Sequence, residues 1–265
     1  MKKVNGQEII ALFEKWSPKR FAMEGDPVGL HIGQLNRPVD KVLVTLDVNE
    51  KVVDEAIQQG VNLIIAHHPL IFRPLKNILT DTPQGRLIEK CIKNDISVYA
   101  AHTNLDIAPG GVNDMLASKL GLIDTEVVEQ TYNEYGLGRI GKPAEKMTLK
   151  QFAEHVKSVF GVPTLRFVGN PEKVIRKVAV LGGDGNKYIG AAKRSGADVL
   201  VTGDLYYHIA HDAEAMGLAV IDPGHNIEKV MIEGVVEYMM NACKEAGFNV
   251  EFLKSEISTE PFNFI

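Results

Sequence analysis

One stretch of the chain repeats itself, and that repeat limits the fold more than any other feature. Setting Val42 on Val178 puts Ala56 on Ala192, Gly60 on Gly196, Asn62 on Asp198 and Ile65 on Val201, with no gap. Each copy reads as a buried strand, an amphipathic helix stopped by glycine, and a second buried strand. The later runs ISVY (96–99) and LAVI (218–221) then play matching parts. Short, continuous apolar runs suit parallel strands covered on both faces. The repeat predicts an α/β fold of two similar α/β lobes with mostly parallel sheets.

Helix signals support this layout. Asn5 and Glu8 stand in capping-box spacing ahead of Ile9, Ile10, Phe13 and Trp16 at helical period. Asn49 caps a helix with Val52, Val53, Ala56 and Ile57 on one face, Pro83 opens another, and residues 110–120 form a further one. In the second half Thr148 caps a helix carrying Leu149, Phe152, Val156 and Phe160. Strands are expected over 164–168, 174–181, 198–202 and 249–253. Helices are expected over 188–194, from near Tyr206, and over 226–246. Residues 126–146 read as irregular or as short strands.

Composition narrows the function classes. The 29 basic and 34 acidic residues give a net charge of −5. That argues against a nucleic-acid-binding surface, which needs a concentrated basic face. Cys91 and Cys243 have no CxxC partner and read as free, buried thiols of a reducing compartment. No apolar run approaches the ~20 residues of a membrane span, and the N-terminus carries no signal-peptide core. The expectation is a soluble, cytoplasmic protein without a membrane partner.

The chemistry sits after the predicted strands, where open α/β sheets bind ligands. His67-His68-Pro69 follows one strand and His102-Thr103-Asn104-Leu105-Asp106 another. Gly203-Asp204-Leu205-Tyr206-Tyr207-His208 and Asp222-Pro223-Gly224-His225-Asn226-Ile227-Glu228 follow two more. Six histidines (67, 68, 102, 208, 211 and 225) fall in or beside these clusters; His31 and His155 do not. Imidazole with carboxylate is the ligand set of Zn, Mn or Fe. His67 and His68 point to opposite sides of an extended chain, so they serve two metals or need a sharp turn, and Pro69 keeps His68 out of the α region. His225 and Glu228, three apart at a helix start, face one site. A carboxylate there is able to bridge two cations about 3.5–4 Å apart. The joint occurrence of His67, His68, Asp106, His225 and Glu228 singles them out. His208 and His211 read equally well as surface residues, and His155 as an ordinary polar residue of an amphipathic helix. Gly182 to Lys187 lacks the spacing of a phosphate loop, and Tyr188 replaces the last glycine of a dinucleotide fingerprint. A tight strand-to-helix turn is the reading there.

The segments DPVGLHIG (26–33), IIAHHPLIF (64–72), AAHTNLD (100–106), TGDLYYH (202–208) and DPGHNIEK (222–229) resemble the GTP cyclohydrolase I type 2-like dinuclear-metal protein family. The match runs in family order over nearly the whole chain. The resemblance implies two divalent metal ions per subunit, of unassigned identity among Zn, Mn and Fe, held by His67, His68, Asp106, His225 and Glu228 in the cleft between the lobes. Asp106 would hold one ion and Glu228 would bridge both. Some relatives set the last His and Glu four positions apart, where this chain has three. The resemblance also implies a homo-oligomer, a toroidal homohexamer. If His67 and His225 share one site, residues from 222 onward return to the first lobe. The expected lobes are then 1–125 plus 222–265, carrying most metal ligands, and 126–221, with no inserted third domain. Two functions follow. One is a metal-dependent hydrolase of a nucleotide-like or other small metabolite, with His102 or His208 moving the proton. The alternative is a non-catalytic metal-binding scaffold or regulatory interaction protein.

Overall fold

In the computed structural model, which describes residues 4–265, each copy of the repeat forms the middle of its own sheet. The strands in chain order are β1 (Gly29–Ile32), β2 (Lys41–Thr45), β3 (Leu63–Ala66), β4 (Ser97–Ala100), β5 (Leu122–Tyr132), β6 (Tyr135–Pro143), β7 (Met147–Thr148), β8 (Arg166–Val168), β9 (Val174–Ile175), β10 (Val178–Asp184), β11 (Val199–Gly203), β12 (Ala219–Asp222) and β13 (Glu251–Lys254). The helices are α1 (Gly6–Trp16), α2 (Glu50–Gln59), α3 (Pro83–Lys93), α4 (Thr103–Ile107), α5 (Val112–Lys119), α6 (Leu149–Phe160), α7 (Ile189–Arg194), α8 (Tyr207–Ala215) and α9 (Val230–Glu245).

The register reproduces the sequence alignment pair by pair. Val42 lies opposite Leu63 where β2 meets β3, and Val178 opposite Val199 where β10 meets β11, both parallel. Leu63 then pairs with Ser97, and Val199 with Ala219. An antiparallel strand closes one edge of each trio, β1 on β4 and β8 on β12. The copies part at the opposite edge, where β13 joins β2 in parallel and β6 joins β10 antiparallel. The first sheet is therefore parallel except at β1. The second has a parallel centre and antiparallel flanks.

The first compact unit runs through Ala108 and resumes over Met231–Thr259. Its sheet, ordered β1-β4-β3-β2-β13, is covered on both faces. Val52, Val53 and Ala56 of α2, with Ile88 and Cys91 of α3, pack on Leu43, Ile64 and Val98. On the other face Phe13 of α1 meets Tyr99 edge-on at 5.9 Å, and Trp16 stacks on Tyr238 of α9 at 4.0 Å. The Asn5–Glu8 capping box forms as the spacing predicts, as do the Asn49 cap and the left-handed stop at Gly60.

The second unit spans Pro109–Val230 with Glu260–Ile265, and its sheet is ordered β5-β6-β10-β11-β12-β8. Residues 126–146 are mostly taken up by the long hairpin β5–β6, not irregular. The outer strand β5 is exposed along most of its length, so it shows no period-two apolar signal. Asn133, at φ 52°, makes the tight turn. The expected strand 174–181 is two strands. Asp198 Oδ2 accepts the N–H groups of both Arg176 and Lys177, which takes those donors out of a ladder. The lobe boundaries also differ from expectation. Residues 109–125 belong to the second unit because α5 packs on β6 and β10, and 222–230 because residues His225–Lys229 pack on β10 and β11. The chain re-enters the first unit only with α9. His225 and Glu228 are therefore carried by the second unit, not by the first lobe.

Candidate metal centre

His67 and His68 extend β3 past its last residue. Their N–H groups donate to Thr45 O at 3.2 Å and Leu46 O at 2.9 Å, and the chain bends at these two residues so that their ring centroids lie only 5.1 Å apart. His67 is fully buried, and its Nδ1 lies 2.8 Å from Ala101 O. A carbonyl only accepts, so Nδ1 carries the proton and the Nε2 lone pair is left for a ligand. Asp106 Oδ1 lies 3.6 Å from that Nε2. His68 turns its Nδ1 to Asp47 Oδ1 at 2.6 Å, and Asp47 Oδ2 accepts the Thr259 hydroxyl at 2.5 Å. His102 turns its Nδ1 to Asp26 Oδ1 at 2.8 Å. His67, His68 and His102 each offer a ring nitrogen, and these lie within 4.8 Å of one another.

The DPVGLHIG segment is the scaffold of this end of the first unit. Asp26 also accepts from Thr103 N–H at 3.0 Å and from the Thr103 hydroxyl. Burial pushes the Asp26 carboxyl up, but the bonds and charge of His102 and the Thr103 donors outweigh it. The group sits below the ordinary carboxylate range. His31, from the same segment, lies with Nε2 2.6 Å from Pro27 O and accepts Ile71 N–H on Nδ1 at 3.1 Å. It thereby ties down the loop that follows His68.

In the second unit His225 and Glu228 lie on a 3-10 helix, His225–Lys229, that precedes α9. Side chains three apart are eclipsed in a 3-10 helix. The three-residue spacing thus brings His225 Nε2 to 3.0 Å from Glu228 Oε2. His225 Nδ1 lies 2.7 Å from Asp204 Oδ2. Glu228 is 2% exposed. Gly182 makes room for it, since a Cβ there would stand 2.6 Å from Glu228 Oε1. Gly183, at φ 63°, continues the chain past the His225 ring. The glycines read as a turn are thus the floor beneath the carboxylate. Beyond them Asp184 is held by Asn186 and by the Tyr206 hydroxyl at 2.8 Å. Burial raises the Asp184 carboxyl, while those bonds and the charge of His225 bring it below its usual range.

His208 is exposed on α8, its ring 5.3 Å from that of Tyr207, and His211 lies against the same tyrosine. Neither belongs to a group of three ligand-bearing side chains among the described residues. His155 Nε2 lies 3.2 Å from Leu120 O, an ordinary helix histidine. Burial pushes the Cys91 and Cys243 thiols up to about 11. Both are free and buried, with no reactive thiolate character. No helix among the described residues is long and apolar enough to cross a membrane.

Three carboxylates escape a sequence search for ligands: Asp26, Asp47 and Asp204. Each receives the Nδ1 of a histidine and thereby orients that ring. Asp26 and Asp204 lie within the motif segments, but Asp47 has no local signal. All four imidazoles share one arrangement, with Nδ1 on an oxygen acceptor, and the Nε2 atoms of His67 and His225 face the carboxylates of Asp106 and Glu228. That is how metal-ligating histidines are held. Asp106 in the first unit and Glu228 in the second add buried carboxylates, and imidazole with carboxylate is the donor set that divalent ions take.

Residues 4–261 match the family described as Duf34/NIF3 (NGG1p interacting factor 3). The chain belongs to that family. The GTP cyclohydrolase 1 type 2 homolog of Bacillus subtilis is 43% identical over 371 residues, covering all of both chains. The Streptococcus pneumoniae protein of the same name is 41% identical over 262 residues, covering 97% of this chain and 98% of its own. Among solved structures, a Bacillus cereus protein related to NIF3 superposes with a TM-score of 0.98 at 44% identity, covering 100% of each. The Duf34/NIF3 relationship accounts for the two-sheet α/β architecture.

Proposed function

We propose that this Duf34/NIF3 chain binds two divalent metal ions through His67, His68, Asp106, His225 and Glu228, and hydrolyses a nucleotide-like or other small metabolite with them. The observation that carries the reading is the shared tethering of His67, His68 and His225, each with Nδ1 committed to an oxygen and Nε2 presented. Zn, Mn or Fe all suit imidazole with carboxylate. Such ions, when bound, polarise a substrate oxygen and acidify a water. The chain's own groups do the rest. Asp47 and Asp204 hold the rings of His68 and His225 in one tautomer. Glu228, seated over Gly182, would supply a carboxylate to both ions, and Asp106 would supply one to a single ion. His102 is the proton-transfer group of this reading, and exposed His208 is the weaker choice. The chain works as a homohexamer, as its resemblance implies.

The test is direct. Protein purified without chelator and reconstituted with Zn, Mn or Fe should hold two ions per chain by elemental analysis. The loaded protein is then screened against a metabolite panel that includes GTP, the compound in its relatives' name. Metal content near zero would sink the ligand assignment. Two ions without turnover of any panel compound would leave the metal-binding scaffold standing in its place.

A further inference from the structure

Asp26 lies outside the ligand set, yet its side chain is only 5% exposed. It collects three donors, one from His102 and two from Thr103. Its bond to His102 Nδ1 leaves Nε2 as the nitrogen free to act beside His67 and His68, whose ligand atoms lie within 4.8 Å of a ring nitrogen of His102. The two rings differ in access. His67 is fully buried, whereas the His102 side chain is 23% exposed, so solvent reaches it. A solvent-reached imidazole backed by a buried carboxylate is the arrangement of a general base.

We propose that Asp26 is a positioning residue that fixes the His102 proton on Nδ1, so that Nε2 accepts a proton from the water used in hydrolysis instead of ligating a metal. The proposal rests on the hydrolase reading above. In the step, one O–H bond of the water breaks and its proton passes to Nε2. The electron pair stays on oxygen, which attacks the substrate. The imidazolium, stabilised by the Asp26 carboxylate, returns the proton to the leaving group.

The test uses zinc-loaded full chain treated with diethyl pyrocarbonate, which modifies unprotonated, uncoordinated imidazole nitrogens, with the sites read by peptide mass spectrometry. Zinc should shield His67, His68 and His225 and leave His102 reactive. An asparagine at position 26 donates to Nδ1 and moves the proton to Nε2. Asp26→Asn should therefore keep its zinc, slow His102 labelling about tenfold, and cut turnover by roughly 10²-fold or more with KM little changed. Asp26→Glu should restore part of both. Shielding of His102 by zinc would overturn the proposal and make His102 a ligand. Parental labelling and turnover in Asp26→Asn would overturn it as well. A parent that turns over no panel compound overturns the hydrolase reading, and slowed labelling in Asp26→Asn still supports the positioning by Asp26.

Discussion

Asp106 and Glu228 occupy the same place in the two copies of the repeat. Asp106 follows Ser97 by as many residues as Glu228 follows Ala219, and those two residues hold equivalent register positions, on Leu63 and on Val199. Each carboxylate sits on a short helical segment directly after the third strand of its trio, Thr103–Ile107 or His225–Lys229. Both are buried. The cores of the segments read alike, Asn104-Leu105-Asp106 and Asn226-Ile227-Glu228. One structural device therefore supplies a buried carboxylate in each unit.

Glu228→Gln should bind fewer ions than the parent at about pH 7.5. The substitution keeps the side-chain shape and removes the charge that offsets repulsion between two cations. Asp106→Asn should weaken mainly one ion. Calorimetric titration reads both, and unchanged two-ion binding in Glu228→Gln would show that Glu228 does not bridge.

Gly182→Ala should damage the site without touching a ligand. Its Cβ would meet Glu228 Oε1 at 2.6 Å, so the carboxylate must move. Displaced metal-site geometry of this kind costs about 10–100-fold in affinity. Titration with zinc checks it, with circular dichroism to show that the sheet is retained.

Metal affinity should fall as the pH drops below about 6, because imidazole ligates only when neutral and its unperturbed pKa is ~6.5. Repeating the titration at about pH 7.5 and about pH 5.5 gives the comparison. A flat profile would mean that carboxylates alone hold the ions.

Asp26 also leaves a mark on acid stability. Its carboxyl lies below its ordinary value in the folded chain. Such a group stabilises the fold above its unfolded pKa of about 3.9, and that contribution is lost as the pH falls through the folded value. In metal-free protein, Asp26→Asn should lower the melting temperature at neutral pH, and the gap to the parent should narrow below about pH 4. Thermal melts across that range decide it.

Phe13→Ala should cost about 3–5 kcal/mol, since the ring is fully buried between the first sheet and its helices. Urea denaturation measures the loss. The change lies away from every ligand, so zinc stoichiometry should hold wherever the variant stays folded.

The sequence by itself determined the strand trios and their register, and it singled out the residues proposed here as ligands. Apolar runs of matching length are local features, and an ungapped repeat carries its pairing with it, as Val42 on Leu63 and Val178 on Val199 show. Capping boxes at Asn5 and Thr148 are equally local, because each needs only two side chains three residues apart. Only the tertiary structure decided what lies against those residues. The hairpin β5–β6 was hidden because an exposed outer strand imposes no apolar period. The assignment of His225 and Glu228 to the second unit depended on where a 3-10 helix packs. Asp47 reaches His68, and Asp26 reaches His102, across 21 and 76 residues of chain. Nothing in a linear sequence records such distances. The tautomers of the His68 and His102 rings, and with them the nitrogen offered to a metal or a proton, are set by those remote carboxylates.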